Sequence, residues 1–196
     1  MKISKALKKE KKQEKHFFIF MTLLFFILPL IIFLSQIKSV FLWIYLGVIE
    51  ILISITCISK INYHKLEFNY SNNKLKIKSG LFLKSFIIIC DKVVIVHTDK
   101  DKEEMDILII STTKVRNKYL KPVSESFLRK YPEASQEYIK VKKVNPEESY
   151  YYQIIRKGAL KKYILLDTIY KNCVKATYTA SAIENIKIAR DKIDII

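Results

Sequence analysis

Two apolar runs, Phe17 to Leu34 and Val40 to Ile58, constrain this chain more than anything else in it. Only Ser35-Gln36-Ile37-Lys38-Ser39 separates them. The first run carries no charge and a single hydroxyl, Thr22, and its 18 residues reach about 27 Å at helical rise, close to one hydrocarbon core. The second is one residue longer and contains one carboxylate, Glu50. The pattern predicts a transmembrane helical hairpin, with helices at about 17–37 and 40–59.

Charge then orients the hairpin. Of the 196 residues, 35 are Lys or Arg and 19 are Asp or Glu, a formal net charge of +16. Residues 1–15 contribute +5, residues 16–59 balance Lys38 against Glu50, and residues 60–196 contribute +11. Basic flanks are retained on the cytoplasmic side, so a multi-pass protein of the cell membrane is expected, with both termini cytoplasmic and Lys38 outside. This divides the chain into a basic tail at 1–15, the hairpin at 16–59 and one cytoplasmic domain at 60–196. A Lys-rich start also opens secretory signal peptides, but their apolar cores are shorter and end in small residues at a cleavage site, which Ser35 to Ser39 does not offer. Three cysteines, Cys57, Cys90 and Cys173, are odd in number and lack C-x-x-C spacing, so reduced thiols are expected, not a disulfide framework or a zinc site.

Within the hairpin, Pro29 should kink the first helix, and Trp43 and Tyr45 sit where interfacial rings anchor a helix. Glu50 is the eleventh residue of its run, near the midplane, where a carboxylate costs about 2.5–3.5 kcal/mol and should be protonated or hydrogen-bonded. A bond to Thr22 or to another copy of the chain accounts for it more simply than a proton or ion relay, for which Ser54 and Thr56 are thin company. In the tail, Lys5, Lys8, Lys9, Lys11, Lys12 and Lys15 set topology and can touch anionic head groups, with Lys60 and Lys65 completing the basic collar. With few apolar residues, the tail is not expected to fold alone.

From Ile61 the periodicity becomes two. Leu66, Phe68 and Tyr70 alternate with Glu67 and Asn69; Ser71-Asn72-Asn73 supplies a turn; Leu75 and Ile77 alternate with lysines before Gly80. Phe82 to Ile89, Val93 to His97 and Ile107 to Ile110 continue as β-branched runs, about five short antiparallel strands consistent with a curved sheet or half-barrel. These residues, with Leu75-Lys76-Ile77-Lys78-Ser79-Gly80-Leu81-Phe82 and Ile87-Ile88-Ile89-Cys90-Asp91-Lys92-Val93, resemble the bacterial pleckstrin-homology-like domain. In that family a strand ends in Gly-Leu and the next runs into a hydrophobic-x-Asp-Lys-hydrophobic turn, often after two membrane helices; Ile89 stands where many members have proline. The resemblance covers about Asn62 to Thr112. It implies an α+β fold, a mainly antiparallel PH-like barrel or sandwich closed by a helix, used for assembly or binding, with no catalytic residue to carry over.

Beyond Thr112, Ser124 is placed to cap a short helix through Phe127, Leu128 and Tyr131 that stops at Pro132. Tyr138 to Val144 reads as a strand. Asn145-Pro146-Glu147-Glu148 has the make-up of a helix start, for a helix ending at Gly158. Leu160, Tyr163, Leu166, Ile169, Tyr170 and Cys173 fall at helical spacing, and Thr179 or Ser181 starts a last helix through Ile183, Ile186, Ala189 and Ile193.

Chemistry is sparse. Gly47, Gly80 and Gly158 stand too far apart for a phosphate loop, and His16, His64 and His97 are isolated, each expected at a surface or interface. Glu103-Glu104 and Glu147-Glu148 are explained by a turn and a helix start. No cofactor, metal or catalytic residue is expected, and the protein is read as a non-enzymatic membrane protein that presents its domain to proteins or to the membrane surface. Expected partners are a bilayer with anionic head groups and a protein, or a second copy through the hairpin. Lys84, Lys114, Arg116, Lys118 and Lys121 flank strand ends and suit a head-group contact. Two alternatives remain: a membrane-tethered nucleic-acid binder using three helices after Asn145 with Tyr150, Tyr151 and Tyr152, which the basic surface keeps open but does not favour, and a transport accessory built on Glu50.

Overall fold

The computed structural model describes residues 2–35, 39–81, 84–101, 104–113 and 120–191. It opens with two helices, α1 (Ile3–Leu34) and α2 (Val40–His64), both long and apolar enough to cross a membrane. Their large side chains are left bare by the rest of the chain: Phe26 is 66 % and Phe41 74 % exposed. Apolar surface on that scale marks a contact face for lipid or protein.

The basic tail is helix from Ile3 onward and belongs to α1. The reason is tertiary. Ile3 and Ala6 are buried, Leu7 packs beside them on the same helical face, and the Ile3 N–H donates to Asp191 Oδ1 at 2.7 Å. One turn further on, Glu10 Oε1 lies 3.4 Å from His64 Nδ1 at the end of α2. The segment that cannot fold alone therefore folds by docking.

After α2 the chain forms two sheets that do not close into a barrel, and the fold class is α+β. The first sheet is antiparallel, in the order β1 (Leu66–Ser71), β2 (Lys74–Ser79), β3 (Lys84–Ile89). Asn72 and Asn73 make its first turn with φ of 49° and 60°, the left-handed pair that a two-residue hairpin needs and that asparagine tolerates. A 3-10 turn at Cys90–Lys92 leads to the second, mixed sheet. Its strands are β4 (Val93–Asp101), β5 (Glu104–Ser111), β6 (Lys121–Pro122), β7 (Tyr151–Ile155) and β8 (Thr177–Tyr178), in the order β6-β7-β5-β4-β8. Among the described residues only β4 and β8 run parallel.

The second sheet is buried on both faces, which explains the unbroken apolar run Ile107 to Ile110. Ile107 and Ile109 join a core with Leu75 and Ile77 of β2 and with Leu165, Leu166 and Ile169 of α5 (Lys161–Asn172). Ile186 and Ile188 of α6 (Ala180–Ala189) complete that side. Leu108 and Ile110 point the other way, to Phe127 of α3 (Glu125–Lys130), Tyr131, Ala134 of α4 (Pro132–Val144) and Tyr150.

Several expectations are corrected. Tyr138 to Val144 is helix, because Pro132 starts α4 at its first position and Tyr138 and Val141, three apart, pack on the second core. The helix expected from Asn145 to Gly158 is instead the loop after α4 and the strand β7; Asn145 ends α4, and Glu147 and Glu148 lie in that loop. Pairing of the whole of β7 with β5, from Ile107↔Ile155 to Ser111↔Tyr151, outweighs the local capping signal. Among the described residues two helices, α5 and α6, follow Asn145, where three were expected. Thr179 does start α6, its hydroxyl accepting from the Ala182 N–H at 3.3 Å. Glu103, Lys114, Arg116, Lys118 and Ile193 lie outside the described residues.

The thiol expectation also fails. Cys90, in the 3-10 turn, and Cys173, at the end of α5, are both about 1 % exposed and form a disulfide across 83 positions of sequence, while Cys57 stays free. The strand end and the helix end meet because both pack into the first core, a proximity that sequence spacing does not encode. His97 is not at the surface either: it is 5 % exposed on β4, with Nδ1 3.1 Å from Thr179 Oγ1, 3.2 Å from Ser181 Oγ and 3.7 Å from Glu133 Oε2.

Candidate functional site

The site begins where α2 enters the domain. The helix does not end in a free linker. The Gly158 N–H donates to Tyr63 O at 2.9 Å, the Gly80 N–H to Lys65 O at 2.8 Å, and the Leu81 N–H to Asn62 Oδ1 at 2.9 Å. Both glycines are required here. Gly80 has φ +79° and Gly158 φ +119°; a Cβ on Gly80 would stand 2.6 Å from Asn62 Oδ1, and one on Gly158 would run into the Leu66 side chain. The end of α2 is thereby stitched to the turn after β2 and to the turn before α5.

Beside this joint a groove of about 570 Å³ opens along β7. Asn62 lies at one end; Ser79 and Phe86 come from the first sheet, and Tyr152 to Arg156 run along the wall. Lys121 of β6 and Ser126, Phe127, Lys130 and Tyr131 close the far side. Its aromatic side is well ordered by contact: the Phe127 and Tyr152 rings lie 4.4 Å apart and those of Phe127 and Tyr131 5.3 Å. Lys130 Nζ lies 5.4 Å from the centre of the Tyr131 ring.

Electrostatics gives the groove its sign. Lys121, Lys130, Arg156 and Lys157 all line it, and among the described residues none that lines it is acidic. Arg156 is positioned from behind: its Nε lies 3.4 Å from Asp106 Oδ2, and its carbonyl accepts from Lys162 Nζ at 2.7 Å. Lys162 is 1 % exposed and lies 3.9 Å from Asp106 Oδ1, so the buried ammonium has both a carbonyl and a carboxylate in reach. Among the described residues no carboxylate pairs with Lys121, Lys130 or Lys157. Such a concavity, part aromatic and with four cations on its described walls, suits an anion attached to an apolar body.

The His97 cluster is a different arrangement. Burial pushes the His97 imidazole below its ordinary value, and the opposing pull of the Glu133 and Asp99 carboxylates is smaller. Thr179, Ser181 and Glu133 all face the same ring nitrogen, Nδ1, so no hydroxyl stands on one nitrogen with a carboxylate orienting the other. The cluster joins β4, α4 and the start of α6. Among the described residues there is also no group of three His, Cys, Asp or Glu that could hold a metal.

The sequence-derived candidates are spread over the molecule. Lys5, Lys8, Lys9, Lys11, Lys12 and Lys15 are exposed along the first turns of α1, which flank the domain. Lys60 is half-buried with Nζ 5.5 Å from the Phe17 ring, and Lys65 is half-buried at the stitched end of α2. Trp43 and Tyr45 are 46 % and 58 % exposed near the far end of α2. Glu50 is half-buried and, among the described residues, has no hydrogen-bond partner, Thr22 included. Of the strand-end lysines, Lys84 starts β3 and Lys121 lines the groove.

Sequence reading missed Asn62, Lys130, Arg156 and Lys157. The usable signal was Arg156-Lys157-Gly158 after Tyr150 to Ile155, a short β-forming run ended by glycine, which the preceding Asn-Pro-Glu-Glu disguised as a helix. The chain matches no protein-family model, no curated protein and no solved structure.

Proposed function

We propose that this is a non-enzymatic integral membrane protein whose helical hairpin holds a pleckstrin-homology-like domain against the membrane surface for interaction with protein or lipid. The single observation that carries the reading is the stitched joint: an apolar helix continues without a linker into the domain, and three hydrogen bonds fix it there. A domain coupled so tightly presents one face, the one with the groove, to whatever surrounds the end of α2. The PH-like assignment draws support from the β1-β2-β3 meander and the β4-β5 hairpin that follows it, with Gly80-Leu81 and Asp91-Lys92-Val93 at two turns, and from α6 packing on β4; the two separate, open sheets make it an unclosed variant.

Both termini are assigned to the cytoplasm on the excess of Lys and Arg flanking the helices. The disulfide favours a second reading, in which the domain faces an oxidising compartment. The test is direct. Full-length protein in native membranes should resist alkaline carbonate extraction, Lys187 should be reached by a membrane-impermeant amine reagent only after lysis, and partner proteins should co-purify from detergent extracts with Glu50→Gln as with wild type. Release by carbonate ends the hairpin reading. Labelling of Lys187 in intact cells ends the cytoplasmic one.

A further inference from the structure

Three properties converge on the groove, and each comes from different residues. Lys121, Lys130, Arg156 and Lys157 gather four positive charges with no lining acid among the described residues, and like charges held together in one mouth favour an anion between them. Phe86, Phe127 and Tyr152 line the same space with apolar surface, which a bare inorganic anion would leave unused. Asn62 places the opening two residues before the end of α2, on the side of the domain nearest the apolar helices. A phosphate ester under a hydrocarbon chain meets all three conditions. Inorganic phosphate meets only the first; a soluble nucleotide, whose base can stack on the aromatic wall, meets the first two but not the third.

We infer that the groove is a binding site for an anionic phospholipid taken from the leaflet around the end of α2, with the phosphate among the Lys130, Arg156 and Lys157 cations and apolar lipid atoms against the aromatic wall. The inference rests on the hairpin being embedded in a bilayer, and it names the ligand of the surface that the proposed function uses. The exposed lysines of the tail attract any anionic surface through unstructured charge. The groove differs in having walls, so it selects a molecule. The open mouth allows the lipid to enter sideways, and the Asp106–Lys162 pair keeps Arg156 in place when the groove is empty.

The test uses the full chain in nanodiscs of phosphatidylcholine with and without phosphatidylglycerol. Native mass spectrometry reads the phosphatidylglycerol retained after transfer to detergent, and amine-reactive labelling reads protection of Lys130 and Lys157. Wild type is expected to retain phosphatidylglycerol over phosphatidylcholine. Lys121→Gln with Lys130→Gln, both exposed and outside either core, should weaken retention about tenfold, while Lys8→Gln with Lys12→Gln, the same charge loss on the tail, should leave it unchanged. Equal weakening in the two double variants would reduce the site to general surface attraction and overturn the assignment. Retention that survives in both also overturns it, as does equal protection of Lys130 and Lys157 by soluble glycerol phosphate, which would make the ligand a free phosphate ester. Because every variant is first shown to stay embedded after carbonate washing, failure here leaves the membrane reading intact, and failure of that wash identifies the other fault.

Discussion

The two faces of the central sheet are built from the same strands and do different work. One face of β5, through Ile107 and Ile109, meets β2, α5 and α6 in a mainly aliphatic core that Cys90 and Cys173 close covalently. The other, through Leu108 and Ile110, meets Phe127, Tyr131, Ala134 and Tyr150, a smaller and more aromatic cluster that reaches the groove through Phe127 and Tyr131 and the polar His97 cluster through Tyr131. Close packing and a binding cavity compete for the same volume; here the groove takes only Phe86 and Ile155 from the rim of the first core, while its rings at Phe127, Tyr131 and Tyr152 belong to the second face. Stability should therefore be concentrated on the first face and ligand response on the second.

The largest test of that division is removal of the disulfide. Replacing Cys90 and Cys173 by Ser should cost roughly 4.5 kcal/mol on the chain-entropy estimate for a loop of this length, read as a shift in the denaturation midpoint. Phospholipid retention at low denaturant should not change. A neighbouring pair sharpens the comparison. Ile109→Ala should cost about 3.5 kcal/mol, while Ile110→Ala, next in sequence and facing the cluster beside an open groove into which side chains can relax, should cost about 2.5 kcal/mol. Only the second should alter ligand retention; the reverse pattern would break the assignment of roles.

Gly158→Ala should cost about 2 kcal/mol, because a Cβ at φ +119° is strained and runs into Leu66 of the first core. Differential scanning fluorimetry of the detergent-solubilised chain would show it. The smallest effect belongs to His97. Burial holds its imidazole below the ordinary value of 6.5, so above pH 6.5 the ring is neutral in both folded and unfolded chains and contributes no slope. As pH falls through 6.5 the unfolded chain takes up the proton first, and stability is lost until the folded-state value is passed. Unfolding midpoints measured at about pH 7.5 and about pH 5.5 should differ by less in His97→Gln than in wild type.

What could be read in advance follows from how local each cause is. The Asn72-Asn73 hairpin, the alternation through Leu75 and Ile77 and the helical spacing of Leu160 to Cys173 each depend on contacts within a few residues, and each element is present in the structure. Tyr138 to Val144 and Asn145 to Gly158 were misread in opposite senses because their partners lie far away in sequence: α4 is shaped by a core under β4 and β5, and β7 by pairing with β5. The groove was illegible for the same reason. Its cations come from β6, α3 and the end of β7, and no window of sequence contains them together.

By itself the sequence determined two helices apolar enough for a membrane, a basic balance on either side of them and a run of short strands, since hydropathy and periodicity are properties of neighbouring residues. Tertiary structure alone decided that the tail docks through Ile3, that Cys90 meets Cys173, and that α2 is stitched to Gly80 and Gly158 beside a cationic groove. Those outcomes depend on which distant surfaces bury each other, and burial is settled only when the whole chain has chosen its contacts.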